Sequence, residues 1–420
     1  MNKKELIPNI ESTVRSGMCT GCGLCECGCP SHAIKIVERK GRYLPEIQLA
    51  LCKNKNGCHL CYDICPGKGV DLINQAEQLF CDSCIKDDKY IGRYIDCFTG
   101  YSCDDGLRYH SASGGSLTGF LIWLLEKGYI DGAVVTKFDA NSHFKVKSFI
   151  ATQKEDLYAA KSSKYSPVSL HGTAQAILDS KGEKFVVVGL PCHIEGYRTL
   201  ITKNKKLKEK IIGFFSLYCS NSRTFFQTEY MMKERKIDLA KIDYLSYRDN
   251  GCLGGMVVKG EGVDYYEDYK SYNLPLRSFF VPLRCNLCVD HFGELSDISF
   301  GDIHVPPYSE DKIGINSIIV RTPFWKDLLM KSFVDGAINI SPLPYDDLMK
   351  SQKMAVIKKS RNASFSLLRK KIGLSAPHYN NNYKAKFSLK LVVKYLYMRT
   401  QGLIGNHKNL WFIISLISKK

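Results

Sequence analysis

The chain has 420 residues and a formal net charge of +17, and the charge is concentrated in residues 351–420, which hold 15 Lys or Arg and no Asp or Glu. This length is sufficient for two or three compact domains, so neither metals nor disulfides are needed merely to complete a core. Because no apolar stretch approaches the roughly 20 residues of a membrane-spanning helix and residues 1–14 show no secretory signal, we expect a cytoplasmic protein without membrane spans.

Residues 1–75 contain two cysteine runs and lack the long periodic segments of a helical or sheet core. The first run has the spacing CxxCxxCxxxCP that bacterial ferredoxins use, and it consists of Cys19, Cys22, Cys25 and Cys29. The second run repeats the CxxCxxxCP ending after a longer first step, and it consists of Cys52, Cys58, Cys61 and Cys65. The two runs predict a small bacterial-ferredoxin-like domain with two 4Fe-4S clusters.

In domains of this kind the last cysteine of each run crosses over to the cluster of the other run. The predicted ligands of the first cluster are Cys19, Cys22, Cys25 and Cys65. The predicted ligands of the second cluster are Cys29, Cys52, Cys58 and Cys61, which leaves Cys27 over. Two alternatives stay open. The long step between Cys52 and Cys58 allows a second cluster that lacks one ligand, and CxxC pairs also suit tetrahedral zinc.

Residues 76–100 are predicted to form a connector, because they include a charged stretch and no sustained apolar period. The connector contains Cys81, Cys84 and Cys97, and Cys103 follows it. These four cysteines could form a further metal site, but their spacing supports no particular metal-site pattern. We therefore interpret them as free thiols.

Helical and strand patterns alternate from residue 101 to about residue 345. A helical pattern that starts near Leu117 stops at Gly128, and residues 133–138 then form a strand pattern. Further helices are predicted at residues 173–178, 194–201, 224–236 and 324–334. Further strands are predicted at residues 184–188, 211–217, 298–303 and 317–320. The alternation predicts an α/β fold with a mixed sheet in this region, between the small cysteine-rich domain and a basic C-terminal helical tail.

Two polar motifs lie beside these predicted elements. Residues 111–116 (SASGGS) precede the first helix, where backbone N–H groups and hydroxyls could approach a pyrophosphate; an ordinary serine N-cap is the alternative. Residues 162–165 (SSKY) offer hydroxyls, a cation and an aromatic face, although a lone Lys-Tyr pair usually lies at the surface. No GxGxxG follows a strand, so a Rossmann dinucleotide site is not indicated.

Four cysteines stand at the ends of sheet elements or in a CxxC pair, and these are Cys192, Cys219, Cys285 and Cys288. Thiols in such positions can converge in space. Taken singly, Cys219 or Cys252 is more often a small buried apolar residue than a metal ligand. Cys192 beside His193 has an alternative interpretation as a nucleophile, for which the sequence identifies no base.

In order and spacing of their motifs, residues 98 to about 340 resemble the beta subunit of coenzyme F420 hydrogenase/dehydrogenase. The resemblance is carried by residues 111–115 (SASGG), 163–165 (SKY), 189–192 (GLPC), the Cys285-x2-Cys288 pair and residues 296–302 (SDISFGD). It implies a bound FAD and a third 4Fe-4S cluster on Cys192, Cys219, Cys285 and Cys288. It also implies flavin contacts from Ser111, Ser113, Gly114, Gly115, Ser163, Lys164, Tyr165, Gly189 and Pro191.

The resemblance implies an iron-sulfur flavoprotein oxidoreductase. Such a protein passes electrons between a hydride donor or acceptor, coenzyme F420 or a related molecule, and a one-electron partner such as a redox protein or ferredoxin. The sequence assigns no catalytic residue. Two alternatives remain: a ferredoxin-dependent reductase of an organic substrate, for example in a polysaccharide pathway, and a non-enzymatic electron-transfer protein that lacks flavin.

Residues 346–420 are predicted to form a basic amphipathic tail. On a helix, Lys386, Lys390 and Lys394 would lie on one side, next to an apolar stripe formed by Phe387, Leu391, Tyr395 and Met398. A helix of this kind could make a peripheral contact with an anionic membrane surface. The alternative is that the stripe packs on the protein's own core or on a partner. No nucleic-acid recognition module accompanies the charge, so nucleic-acid binding is not expected.

Overall fold

The computed structural model describes residues 8–139, 142, 144–380 and 387–418. Its strands are β1 (Ile34–Arg39), β2 (Arg42–Ile47), β3 (Lys86–Asp88), β4 (Gly92–Tyr94), β5 (Asp96–Ser102), β6 (Gly132–Phe138), β7 (Val146–Ala151), β8 (Phe185–Gly189), β9 (Ile211–Leu217), β10 (Ile242–Asp249), β11 (Gly255–Gly260), β12 (Val263–Asp268), β13 (Ile298–Asp302), β14 (Asn316–Val320) and β15 (Ile338–Pro342). Its α-helices are α1 (Ile10–Arg15), α2 (Leu24–Cys27), α3 (Leu60–Asp63), α4 (Leu72–Leu79), α5 (Asp105–Tyr109), α6 (Ser116–Glu126), α7 (Lys154–Ala159), α8 (Thr173–Asp179), α9 (Pro191–Ile201), α10 (Lys205–Lys210), α11 (Phe225–Glu234), α12 (Tyr269–Asn273), α13 (Pro323–Val334), α14 (Tyr345–Ser351), α15 (Lys353–Ile357), α16 (Ala363–Lys371), α17 (Leu389–Gly405) and α18 (Trp411–Ser418).

A mixed eight-stranded sheet forms the centre of the chain, in the order β15-β5-β14-β13-β9-β8-β6-β7. The four strands β13, β9, β8 and β6 are parallel neighbours, and the outer strands pair antiparallel. The central strands are apolar runs such as FVVVG in β8, because both faces of a parallel strand are covered. This architecture confirms the predicted mixed α/β fold.

Helices and the cysteine-rich region cover the two faces of this sheet. On one face, Phe120 of α6 and Trp325 of α13 pack against Phe215 of β9. On the other face, α8 and α9 share a core with Phe214 of β9 and with Leu24 of α2. The cysteine-rich region, which contains the β1-β2 hairpin, is therefore fixed to the sheet through α9.

Gly196 of α9 lies where the cysteine-rich region comes closest to this helix. A Cβ atom at position 196 would lie 2.7 Å from Cδ1 of Leu24 and 3.4 Å from Cδ of Pro66. A side chain at this position would therefore push the cysteine-rich region away from the sheet.

The predicted elements of the α/β region are present within a few residues of their expected bounds. The helix expected near Leu117 is α6, and the strands expected at residues 133–138, 184–188, 211–217, 298–303 and 317–320 are β6, β8, β9, β13 and β14. The structure differs at β5, which crosses the boundary expected at residue 100 and pairs with β14 and β15 inside the sheet. The antiparallel sheet β10-β11-β12 was also not expected.

Residues 346–420 do not form one separate tail. Phe365 of α16 and Tyr395 and Met398 of α17 share a buried core with Met18 and Leu287. Two members of the predicted apolar stripe are thus covered by the protein itself.

The opposite side of α17 is exposed at Leu389, Val393 and Leu396. Lys386, which was expected to lie on this helix, falls outside the described residues. Within the described ranges, no helix is both long enough and apolar enough to cross a membrane.

Candidate redox site

Four thiols of the cysteine-rich region line one small cavity. They form the first thiol group, which consists of Cys19, Cys22, Cys25 and Cys65. Gly21 and Gly23 adopt φ angles of +81° and +83°, and these left-handed turns let a single short segment surround the cavity. The structure therefore brings together the four cysteines expected from the crossover pattern, although Cys65 comes from the other run.

The first thiol group is buried, and burial disfavours the thiolate form. Burial raises the pKa of Cys22 to about 11 and that of Cys65 to about 12. Burial and then the neighbouring thiols of Cys22, Cys19 and Cys65 raise the pKa of Cys25 well above its usual value. Thiols in such a place ionise only beside a compensating positive centre. The lining therefore fits a 4Fe-4S cluster, whose irons bind thiolates.

A second thiol group lies next to the first and consists of Cys29, Cys52, Cys58 and Cys61. Burial raises the pKa of Cys61, and the thiols of Cys29, Cys52 and Cys58 raise it further. The longer step between Cys52 and Cys58 is accommodated by a 3-10 turn, Lys53–Asn56, and by Gly57 with a φ of +89°. The expansion therefore does not carry Cys52 away from the other three cysteines.

A third thiol group forms at the carboxyl ends of β8 and β9, which are parallel neighbours. Cys192 lies in the first turn of α9 directly after β8, and Cys219 lies just beyond β9. Cys285 belongs to the 3-10 turn Leu283–Leu287, and Cys288 follows this turn. Burial and then the Cys219 thiol raise the pKa of Cys192 well above its usual value. Burial also raises the pKa of Cys219 to about 12, against the lowering effect of Lys358; the nearby thiols of Cys285 and Cys288 contribute to this increase.

The first thiol group is adjacent to both of the other groups. Besides burial and the nearer thiols, Cys61 of the second group raises the pKa of Cys25 in the first group. In the same way, Cys22 of the first group raises the pKa of Cys192 in the third group. The first group is therefore within electrostatic range of the other two.

A zinc site was the main alternative for the CxxC pairs. Among the residues that the structure describes, no three His, Cys, Asp or Glu side chains converge as the ligands of a single metal ion do. A tetrahedral zinc ion holds its thiolates about 2.3 Å from one point. A four-iron cluster holds each thiolate on a different iron, so its ligands are spaced more widely.

Cationic side chains that the sequence analysis did not single out surround the thiol groups. Arg284 donates to the carbonyls of Gly67 and Pro66, at 2.9 and 3.0 Å, and so links the third thiol group to the cysteine-rich region. Lys358 donates to the Cys288 thiol at 3.5 Å. Arg284 could have been noticed beside the CxxC pair, whereas Lys358 is marked only by the basic composition of its segment.

The expected flavin loop, residues 111–115, lies between α5 and α6. A Cβ atom at Gly114 would lie 2.6 Å from the carbonyl oxygen of Gly314, so the glycine is required by a backbone contact inside the protein. Ser113 donates to Asp302, and Arg248 donates to the Ala112 carbonyl at 2.5 Å. The Ser111 hydroxyl is buried and has no hydrogen-bond partner among the described residues, so it is available to a ligand.

Asp302 connects this loop to a group of titratable side chains. Its carboxylate accepts from Arg248 at 2.6 Å and from His304 at 3.0 Å. Burial raises the pKa of Asp302, but Arg248 and His304 lower it more strongly, so the net shift is downward. Burial lowers the pKa of His304, whereas Asp302 and the Cys252 thiol raise it to about 9. Cys252 thus has a charged neighbour and is not simply an apolar core residue.

Gln352 joins Asp302 to the third thiol group. Its amide nitrogen donates to the Asp302 carbonyl at 2.5 Å, and its amide oxygen lies 3.0 Å from Nε2 of His291. Nδ1 of His291 lies 3.1 Å from the Cys219 carbonyl. A short path of polar contacts therefore runs from the Ser-Gly loop to the third thiol group.

The remaining expected flavin residues are divided between two places. Ser163, Lys164 and Tyr165 form one segment. Lys164 donates to the backbone carbonyls of residues 160–162, and burial lowers the pKa of Lys164 to about 7. Tyr165 packs on Tyr269, whose ring lies under the Arg248 guanidinium. Gly189 and Pro191 instead lie at the start of α9, next to Cys192.

The connector cysteines do not join any of these groups. Cys81, Cys84 and Cys103 are exposed, and Cys97 is buried in β5. Cys27, which the ferredoxin pattern leaves over, lies against α8, where burial and the acidic groups of Glu26 and Asp179 raise its pKa.

Comparison with known proteins identifies similar chains. Residues 97–187 match the N-terminal part, and residues 182–345 the C-terminal part, of the family described as coenzyme F420 hydrogenase/dehydrogenase, beta subunit. Together these matches cover more than half of the chain. They begin within β5, the strand that crosses the expected boundary at residue 100.

Individual relatives have low sequence identity over much of the chain. The chain is 27% identical to the coenzyme F420-dependent sulfite reductase of Methanocaldococcus jannaschii over 329 residues, 74% of this chain but only 46% of that protein. It is 22% identical to the coenzyme F420 hydrogenase subunit beta of Methanosarcina barkeri over 306 residues, 69% of this chain and 97% of that protein. It is 26% identical to a subunit of the F420H2 dehydrogenase of Methanosarcina mazei, over 75% of this chain and 82% of that protein.

A solved structure has the same fold. A chain of the F420-reducing NiFe hydrogenase complex from Methanosarcina barkeri superimposes with a TM-score of 0.55 and 20% identity, covering 71% of this chain and 100% of that chain.

Proposed function

Because the chain belongs to the family of coenzyme F420 hydrogenase/dehydrogenase beta subunits, we propose that it is an oxidoreductase that connects hydride exchange with coenzyme F420 to a one-electron partner. The observation that carries the proposal is the set of three neighbouring thiol groups, each with four cysteines. Several closely spaced one-electron centres suit electron transfer across a protein rather than chemistry at a single site. The partner would be a ferredoxin or another redox protein.

In this proposal each thiol group holds one 4Fe-4S cluster. The first cluster would be bound in the cavity lined by Cys19, Cys22, Cys25 and Cys65. Burial of these thiols supports the assignment, because a cluster keeps its thiolates out of water and supplies the positive charge that they need. The second thiol group would exchange electrons with the first, to which it is adjacent.

The Ser-Gly loop would contribute to the flavin site. A bound FAD would supply the conversion between hydride, which carries two electrons, and single electrons. Ser111 would offer its free hydroxyl to the flavin, and Arg248 would hold the loop through Ala112 and Asp302. The path through Gln352 and His291 supports this location, because it ends at the Cys219 carbonyl of the third thiol group.

Anaerobic purification with iron and flavin quantification tests the proposal. We expect about twelve irons, four for each of three clusters, and one FAD per chain. We also expect reduced coenzyme F420 to bleach the flavin band. A preparation with clusters and no flavin would favour the non-enzymatic alternative. A flavin that neither reduced coenzyme F420 nor reduced ferredoxin can bleach would contradict the proposal.

A reductase with its own substrate is the second candidate. The similarity to a protein named as a sulfite reductase favours it, although this match spans less than half of that protein. In this case reduced ferredoxin, but not reduced coenzyme F420, would bleach the flavin. Reoxidation of the flavin by sulfite or by an organic substrate, with no protein acceptor present, would then identify the reductase.

The exposed side of α17 supports a proposal about location. Leu389, Val393 and Leu396 are exposed beside Lys390 and Lys394, in a segment without acidic residues. An apolar strip flanked by lysines suits the surface of an anionic membrane. The protein would then bind peripherally, with the redox site on the body of the molecule.

A further inference from the structure

A π-helical turn, Lys358–Asn362, lies outside the region that matches the family and contacts the third thiol group. It lies in the basic segment, yet Lys358, Lys359 and Asn362 are only 1, 3 and 2% exposed. Burial of lysine side chains is unfavourable unless every charge and donor finds a partner. Single π-turns inside helices are frequent at functional sites. The contacts of this turn therefore need an explanation.

Lys358 uses all three of its donors at the third thiol group. Its Nζ atom lies 2.6 Å from the Asp290 carbonyl, 2.7 Å from the Cys219 carbonyl and 3.5 Å from the Cys288 Sγ atom. A lysine ammonium has three hydrogens and no acceptor, so no further donor remains. Its position relative to the Cys288 sulfur is therefore fixed.

The other two buried side chains of the turn hold it in place. Lys359 pairs with Glu294 at 2.6 Å and donates to the Lys89 carbonyl at 2.8 Å. Asn362 donates to the Cys288 carbonyl at 2.9 Å. The turn is thus anchored at Cys288 and at Glu294, which lie on either side of Asp290 in the sequence. This anchoring keeps the ammonium of Lys358 beside the thiols.

We propose that Lys358 is the fixed cation that raises the reduction potential of the cluster held by the third thiol group. This inference rests on the proposed cluster at Cys192, Cys219, Cys285 and Cys288. Reduction adds one negative charge to a cluster, and the potential of a cluster depends on nearby charge and on hydrogen bonds to its sulfurs. A buried ammonium bonded to a ligand sulfur stabilises the reduced form in both ways. Lys358 is a positioning residue, because it touches a ligand and not a substrate.

The charge of Lys358 affects how electrons are distributed among the three proposed centres. With Lys358 in place, an electron is held more strongly at the third centre than the thiols alone would allow. Without the charge, the equilibrium shifts away from the third centre. Lys358 therefore sets the driving force for the step between the third and the first thiol groups.

Redox titration of the complete, anaerobically prepared protein, followed by electron paramagnetic resonance, tests the inference. Lys358→Gln keeps a donor but removes the charge. For this variant we expect the equilibrium constant for one-electron reduction of the third centre to fall at least tenfold, which lowers its reduction potential by at least about 59 mV. Lys358→Arg keeps the charge, so its equilibrium constant should stay within twofold of that of the unaltered protein. Lys353→Met removes an exposed lysine from the same segment and should change nothing.

The Cys288→Ala variant identifies the signal of the third centre, because that signal should disappear together with about four irons. If Cys288→Ala loses no iron, the proposed third cluster is wrong, whatever Lys358 does. If the cluster is present and Lys358→Gln titrates like the unaltered protein, the role of Lys358 is wrong and the proposed function stands. Loss of the third cluster from both the Gln and the Arg variants would assign Lys358 a packing role and would also overturn the inference.

Discussion

At the scale of single residues, cysteine spacing predicted which thiols come together, and local backbone geometry explains why. The crossover between two runs assigned Cys65 to the first group, and the cavity lined by Cys19, Cys22, Cys25 and Cys65 agrees with this grouping. The sequence could not predict the charges around the thiols. Lys358 reaches the Cys288 thiol, and Arg248 reaches Asp302, only because the fold brings distant parts of the chain together.

Replacement of Cys65 by serine tests the crossover. We expect Cys65→Ser to lose the first cluster, and therefore about four of about twelve irons per chain. Cys27→Ser is the matched control, because Cys27 lies in the same region but belongs to no thiol group. Iron quantification on anaerobic samples provides the measurement. Full iron content in Cys65→Ser would show that the two runs do not exchange their last cysteines.

The pKa of His304 predicts a pH dependence of stability. Because Asp302 and Cys252 raise the folded-state pKa to about 9 from a usual value of 6.5, the paired imidazolium stabilises the fold fully below pH 6.5. This contribution is lost as the pH rises through about 9. The side chain is 36% exposed, so after solvent screening we expect a contribution of about 1 kcal/mol.

The variant His304→Gln isolates this contribution. Urea midpoints measured at pH 6 and at pH 9.5 should show that His304→Gln is less stable than the unaltered protein at pH 6 only. An equal difference at both pH values would mean that His304 contributes by packing and not by its charge.

At the scale of elements, long buried strands were predictable and short polar ones were not. FVVVG in β8 and IIGFFSL in β9 are continuous apolar runs, as expected for parallel strands covered on both faces. β5 reads DCFTGYS, and its polar and glycine residues concealed a strand that is mostly buried. α16 was concealed in the same way, because its basic residues suggested a surface tail although Phe365 is buried.

Docking of the cysteine-rich region on α9 depends on Gly196. We expect Gly196→Val to destabilise the protein by about 1–3 kcal/mol, because the new side chain meets Leu24 and Pro66. Gly402→Val is the matched control in another helix. At position 402 the nearest atom to a new Cβ is the Val281 carbonyl oxygen at 3.9 Å, so we expect a change within about 0.5 kcal/mol. Urea unfolding measures both, and equal effects would contradict the assigned contact.

At the scale of the whole molecule, charge and apolar surface are concentrated on the C-terminal helices. Residues 351–420 carry 15 of the 59 basic residues and no acidic residue. Part of this segment is buried, for example at Lys358 and Tyr395, and part is exposed on α17. Composition predicted the basic surface, but it could not predict which side of the helix the protein covers, because the partner Phe365 lies on another helix.

Vesicle binding tests the exposed side of α17. We expect the intact protein to sediment with vesicles that contain anionic lipid and not with neutral vesicles, and we expect added salt to weaken binding. The double variant Val393→Glu and Leu396→Glu should lose most of this binding. Leu274→Glu changes another exposed apolar residue, outside α17, and should retain the binding. Absence of binding by the intact protein would exclude a membrane role for this surface.

The anchored C-terminal segment also has a consequence for biosynthesis. His378 donates its backbone N–H to the Lys68 carbonyl at 2.7 Å, and Tyr379 accepts from Arg284 at 2.6 Å, so residues made late in translation complete the contacts of the cysteine-rich region. Until these residues leave the ribosome, that region has fewer contacts with the rest of the chain. The proposed clusters would be inserted before this closure, and a chain that stops before residue 358 would lack the lysine that contacts Cys219 and Cys288.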